Sequence, residues 1–132
     1  MSGIDIYSHP IHLGAGATAV SEPEFIGGIA WYEAYVERHL EDRLDGRLVS
    51  IHTFSESWDT WEMHPNGSEV VLCISGEISL IQESLSGDAM VTHLTSGRYL
   101  INQPGVWHTA DLQDTATVLF ITAGWGTQHR QR

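Results

Sequence analysis

The sequence predicts an all-β protein, an antiparallel sandwich or barrel preceded by an arm and one short helix. Three observations carry that expectation. From Arg47 onward, short runs rich in Val, Ile, Leu and Thr are separated by Gly, Asn, Asp and Pro at the density of turns. Two of these runs, Val70 to Ile74 and Val118 to Ile121, are apolar at successive positions, as strands covered on both faces are. A helical period occurs once, between about Gly28 and Asp42.

The chain of 132 residues is one domain's worth. Its formal net charge is -11, and all of its basic residues are Arg, with no Lys. That balance argues against a nucleic-acid partner or an anionic membrane surface. The missing Lys excludes Schiff-base chemistry and leaves His, carboxylates and Tyr as proton carriers. One cysteine, Cys73, lies within V-V-L-C-I and reads as a small buried hydrophobe, so no internal disulfide forms. The start, M-S-G-I-D-I-Y-S, has no basic segment leading into an apolar core, and no run approaches the roughly 20 apolar residues of a membrane span. A cytoplasmic location is expected. Asn66-Gly67-Ser68 therefore reads as a turn rather than a glycosylation site.

In chain order, residues 1 to about 24 hold His9-Pro10, Gly14, Gly16 and Pro23 with little periodicity and read as an irregular arm, its His9 and His12 set aside as surface residues. Ile29, Tyr32, Val36 and Leu40 then recur every three or four residues, with Glu33, Glu37, Arg38 and Glu41 between them. This amphipathic helix is expected to lie across the sheet or cover an open end, with Trp31 and Tyr35 at a ligand entrance or in the core. R-L-V-S-I-H-T-F, S-W-D-T-W-E-M-H, S-E-V-V-L-C-I-S and E-I-S-L-I-Q-E are the first four strands. A-M-V-T-H-L, R-Y-L-I, V-W-H-T-A-D-L and A-T-V-L-F-I-T-A complete the series, and the tail beyond Trp125 is expected to be extended and exposed. The organisation is thus arm and helix over 1–46, barrel over 47–126 and tail over 127–132, within a single domain. Strands apolar on both faces need an outer cover, and a second copy of the chain, a homodimer, is the expected one.

Chemistry-bearing residues gather in W-E-M-H-P-N-G-S-E. If Trp61 to His64 is extended, Glu62 and His64 share one face while Trp61 and Met63 share the other. Pro65-Asn66-Gly67 then reads as a hairpin turn into a strand opening at Glu69. His52 and His93 lie on strands and rank below these as ligands. Trp107, adjacent to His108, points to the opposite face, which leaves Trp58 and Tyr99 as candidates to line a pocket.

The order His64, four residues, Glu69, six residues, Gly76 resembles the first motif of the cupin superfamily. Gly97, five residues, Gln103, Pro104, Gly105, two residues and His108 resemble the second. Three positions depart from the pattern. Glu62 stands where the first of two histidines is usual, Gln103 where a Pro is usual, and Leu112 where the second motif often ends in Asn. The resemblance covers Glu62 to His108 and, with flanking strands, most of the chain from about Arg47.

It implies a small single-domain cupin, a jelly-roll barrel with Glu62, His64, Glu69 and His108 around a divalent transition metal: Fe, Mn, Ni, Co or Zn. Singly, each of the four is an ordinary polar residue at a strand end. Together, two carboxylates brought out of water need a shared proton, hydrogen bonds or a cation. Glu62 is either a fourth ligand or a general base beside a triad of His64, Glu69 and His108 that leaves positions open for oxygen and substrate. The resemblance implies action on an oxygen-rich organic small molecule, with dioxygenase chemistry foremost. Non-enzymatic binding or sensing, and sugar isomerase or epimerase chemistry, are the alternatives.

Overall fold

The computed structural model describes residues 2–132. The described residues form ten strands, one α-helix and two short 3-10 helices (Ala15–Ala17 and Leu40–Asp45): β1 (Ile11–Gly14), β2 (Thr18–Ser21), α1 (Ile29–Arg38), β3 (Arg47–Phe54), β4 (Thr60–Met63), β5 (Glu69–Glu83), β6 (Ala89–Thr95), β7 (Tyr99–Asn102), β8 (His108–Asp111), β9 (Ala116–Thr122) and β10 (Gln128–Gln131). All pairings are antiparallel, in the order β10-β4-β8-β5-β9-β3-β1-β2, with β6 and β7 also joined to β5. No helix among the described residues is long and apolar enough to cross a membrane, which says nothing of β-barrel membrane proteins.

The long strand β5 makes this a barrel. Its first half pairs with β7 and β9, its second half with β6 and β8, and the register shifts between Cys73 and Ser75. What reads in sequence as two strands is one, bent at a bulge. Gly76 sits at the bend with φ of 75°, and a Cβ there would collide with the carbonyl of Thr115. Between the two halves lies the main core: Val71, Cys73, Ile78, Leu80, Leu94, Ala110, Ala116, Val118 and Phe120. Each large aliphatic there supplies roughly 1.5–3 kcal/mol by leaving water.

Three expectations need correction. The arm is no irregular segment: β1 and β2 form a hairpin whose β1 pairs with β3, in strands too short for alternation to register. The helix buries Trp31 and Tyr35 against Leu48, with Phe25 edge-on to Trp31, while Ile29, Tyr32 and Leu40 stay exposed. Two aromatics spaced i, i+4 bury more surface than the aliphatic stripe, so they decide the facing side. β4 and β5 do not form a hairpin; β4 pairs with β8 and β10, and the Pro65-Asn66-Gly67 turn crosses between the sheets. The tail is extended and largely exposed as expected, and its β10 also pairs along the edge of β4.

Candidate metal centre

Three strands carry the site, and their register brings it together. Glu62 on β4 lies directly opposite His108 on β8. His64 follows at the end of β4, and Glu69 opens β5 beyond the turn. The ligand atoms of Glu62, His64, Glu69 and His108 all lie within 4.8 Å of one another. That span is close to the coordination shell of a first-row divalent ion, whose bonds to N and O are roughly 2.0–2.2 Å. His108 is 0 % exposed, Glu69 2 % and His64 4 %, while Glu62, at 27 %, opens the site to solvent.

The hydrogen-bond network assigns the tautomers. Thr127 has one hydroxyl proton and donates it to the Gly124 carbonyl at 2.8 Å. Its oxygen, 2.8 Å from His64 Nδ1, can therefore only accept, so Nδ1 carries the proton. His108 Nδ1 lies 3.2 Å from the Val106 carbonyl, which likewise only accepts. In their neutral forms both imidazoles present a bare Nε2 to the same space. His64 Nε2 is 3.0 Å from Glu62 Oε1 and 3.1 Å from Glu69 Oε2, and His108 Nε2 is 3.2 Å from Glu69 Oε1. None of these approaches has hydrogen-bond geometry: both Nε2 atoms are buried without a partner.

Glu69 is fixed from behind. Its Oε1 accepts from Asn102 Nδ2 at 3.0 Å and its Oε2 from Thr122 Oγ1 at 2.7 Å, and Gln82 in turn donates to Asn102 at 2.8 Å. Asn102 and Thr122 are both register partners of Glu69, on β7 and β9. Burial works to raise the Glu69 carboxyl, but His108 and His64 outweigh it and hold it well below the usual carboxylate range. For His64, burial works downward, and Glu62 and Glu69 reverse it to about 9. Metal-free, the cluster thus draws a proton onto His64, in the place of a cation.

The other residues read from the sequence divide. Trp58 packs against the core with its ring 6.3 Å from that of His108, and its Nε1 is buried without a partner. Tyr99, 64 % exposed, lies on the outer face of β7, because Leu100 and Asn102 alternate inward; it does not line the interior. Trp61 and Trp107 turn outward, as their neighbours predict, and flank Arg130. His52 faces inward, its imidazole pushed down by burial and partly restored by the charge of Glu62; His93 sits outside beside Glu77. Tyr32, partly exposed, is still held above its ordinary range by the protein that shields its hydroxyl and then by Glu62.

Sequence reasoning missed Asn102, Thr122, Thr127 and His129, whose Nε2 is 3.4 Å from Glu62 Oε2. None belongs to a motif; strand register alone places them. His12, set aside as a surface residue, is buried within a second cluster with His39 and Asp42. It differs in kind from the first. His12 bonds Tyr35 Oη and Asp42 Oδ2, both at 2.6 Å, and His39 bonds Glu22 at 2.9 Å. The two rings stack in parallel at 3.6 Å, so their in-plane lone pairs do not converge. These residues tie β1 to the helix through hydrogen bonds rather than around a shared ion.

The bent long strand, the paired sheets and the inward His/Glu cluster define a small cupin-type domain. Solved structures agree on that fold. A cupin-2 domain protein from Shewanella frigidimarina matches with a TM-score of 0.50 at 14 % identity, over 58 % of this chain and 69 % of its own. A protein with a double-stranded β-helix domain from Klebsiella pneumoniae matches at 0.52 and 24 %, over 65 % and 76 %. Oxalate oxidase matches at 0.54 and 13 %, over 61 % of this chain but only 44 % of the oxidase. At such identities the likeness defines the fold. No protein-family model and no curated protein sequence matches the chain.

Proposed function

We propose that this protein is a metal-dependent cupin that acts on an oxygen-rich organic small molecule, with dioxygenase-type chemistry as its reaction class. The observation that carries the metal reading is the pair of buried, unpartnered Nε2 atoms, both turned by their Nδ1 hydrogen bonds toward two carboxylates. A bare nitrogen facing a carboxylate oxygen at about 3 Å is repulsive; a proton on His64 relieves this at one ring, and a divalent cation among the four groups relieves it at both. In the second cluster every imidazole nitrogen named has a protein partner, and no such conflict arises.

His64, Glu69 and His108 are the inner ligands, and Glu62 completes the set. A divalent Fe, Mn, Co, Ni or Zn ion bound there would supply Lewis acidity, redox capacity where the metal has it, and open positions for substrate and oxygen. This chain's residues do the remainder. Asn102 and Thr122 hold Glu69 so that both its oxygens face the histidines. Glu62, the most exposed of the four, has Oε2 3.4 Å from His129 Nε2, and should it stand off the ion it is the group placed to take a proton from substrate. The unpartnered Trp58 N–H supplies a donor that an oxygen-bearing ligand satisfies, since a buried orphan donor costs roughly 1–3 kcal/mol.

The net charge of -11 favours a small molecule over nucleic acid as the ligand. Oxalate oxidase, a fold neighbour, has been solved with the substrate analogue glycolate, an oxygen-rich small molecule of the kind proposed. The test is elemental analysis of protein purified without added metal, followed by oxygen uptake against small phenols, diketones, hydroxy acids and sugars. Bound metal with oxygen consumption supports the reading. Bound metal and a bound ligand without turnover would make the protein a binder instead, and failure to bind any of the five metals would remove the proposal.

A further inference from the structure

We infer that β10 is a positioning element of the metal centre, acting through Thr127 on its inner approach and Arg130 on its outer face. The inference rests on the metal reading above. It starts from how weakly β4 is otherwise held. This four-residue strand registers with β8 at Glu62 and His108, whereas β10 pairs along its length, Gln128 with Met63 through Gln131 with Thr60. The lateral position of Glu62 is therefore set by β10.

Arg130 locks that position from outside. Its guanidinium lies 5.0 Å from the Trp61 ring and 4.5 Å from the Trp107 ring, and it pairs with Glu83. Trp61 precedes Glu62, Trp107 precedes His108, and Glu83 follows Gln82, the register partner of His108. One cation thus ties together β4, β5 and the start of β8, each beside a residue of the site. Arg132 adds a second fastening, to Asp111 at 2.6 Å and to the carbonyl of Trp58 at 3.0 Å.

Thr127 acts from within. Because its proton goes to Gly124, its oxygen accepts from His64 Nδ1 and keeps the bare Nε2 aimed at Glu62 and Glu69. A valine of similar shape would fill the space but leave Nδ1–H without an acceptor, allowing the ring to turn or change tautomer. Outer partners of ligating histidines are worth roughly 10–100-fold in metal affinity.

Co(II) is the probe, titrated into metal-free protein and followed by calorimetry and by the visible spectrum of the bound ion. Thr127→Val is expected to weaken Co(II) binding 10–100-fold and to shift the spectrum, with Thr127→Ser restoring both. Arg130→Ala is expected to weaken Co(II) binding and to shift the visible spectrum of the bound ion as Glu62 loses its fixed place, while circular dichroism shows the barrel intact. Wild-type affinity and spectrum in both variants would overturn the inference, as would a serine variant as impaired as the valine one. Wild-type protein that takes up neither Co(II) nor Fe, Mn, Ni or Zn would instead remove the metal reading itself, so the two failures are distinguishable.

Discussion

Glu62 and His108 are cross-strand partners, one residue of β4 set against one of β8, so the carboxylate and the imidazole reach into the barrel from facing positions. In an antiparallel pair directly opposed side chains stand about 4.5–5.5 Å apart at Cβ, near enough for both to share one ion. The partnership places the side chain at position 62 beside His108 in the group that could hold a metal ion.

If Glu62 is a ligand, Glu62→Gln loses a charged oxygen and should weaken metal binding strongly, while Glu62→His should retain metal with three imidazoles and one carboxylate. A general-base role predicts instead that Glu62→Gln keeps the metal and loses activity by roughly 10²–10⁴. Metal content and turnover, measured on the same preparations, separate the two.

His64→Ala and His108→Ala should each lose bound metal while the domain stays folded, since the apolar core lies elsewhere, around Leu80, Val118 and Phe120. Elemental analysis alongside thermal melting checks this. Full metal retention in both would remove the assignment, and unfolding of both would make the metal structural.

The pH dependence has a sign that metal reverses. In the metal-free protein His64 is raised from its ordinary 6.5 to about 9, so its contribution is complete below 6.5 and is lost as pH rises through 9. The size is on the order of 3–4 kcal/mol, since each pKa unit is worth about 1.4 kcal/mol. Glu69, depressed from 4.5, contributes above that value and loses its share as pH falls below it. Melting of the metal-free protein should therefore decline between pH 6.5 and 9. With saturating metal the proton is displaced, and melting should rise across the same range. Parallel slopes with and without metal would contradict the assignment.

Gly76→Ala should cost more than roughly 2 kcal/mol, because a left-handed φ adds about 1–2 kcal/mol and the new methyl meets the Thr115 carbonyl. Gly87→Ala, at φ 88° with open space around it, should cost only the conformational part. Chemical denaturation of the pair compares them directly. Equal losses would mean that the bend in β5 tolerates a side chain.

A homodimer should cover the outer row that runs from Ile101 through Val70 and Ile121 to Val49 across β7, β5, β9 and β3. Light scattering at micromolar concentration is expected to give twice the 14.6 kDa chain mass, and Ile121→Arg to return it to one chain. A monomer across that range would defeat the expectation.

The sequence by itself carried the strand character from Arg47 on, because burial on one or both faces writes a period of two or an unbroken apolar run into the residues. It also carried the spacing of His64, Glu69 and His108, since each sits at a fixed distance from a turn. It misled where the local pattern was weak or ambiguous. The arm's strands are four residues each, the helix offered two competing faces, and β10 is polar throughout, so pairing rather than pattern made it a strand. Which side chains stand behind His64 and Glu69 was decided by tertiary structure alone. Asn102 and Thr122 flank Glu69, and Thr127 meets His64 across 63 residues, because of register between distant strands. Register is set by how whole sheets pack their faces, and no single segment encodes it.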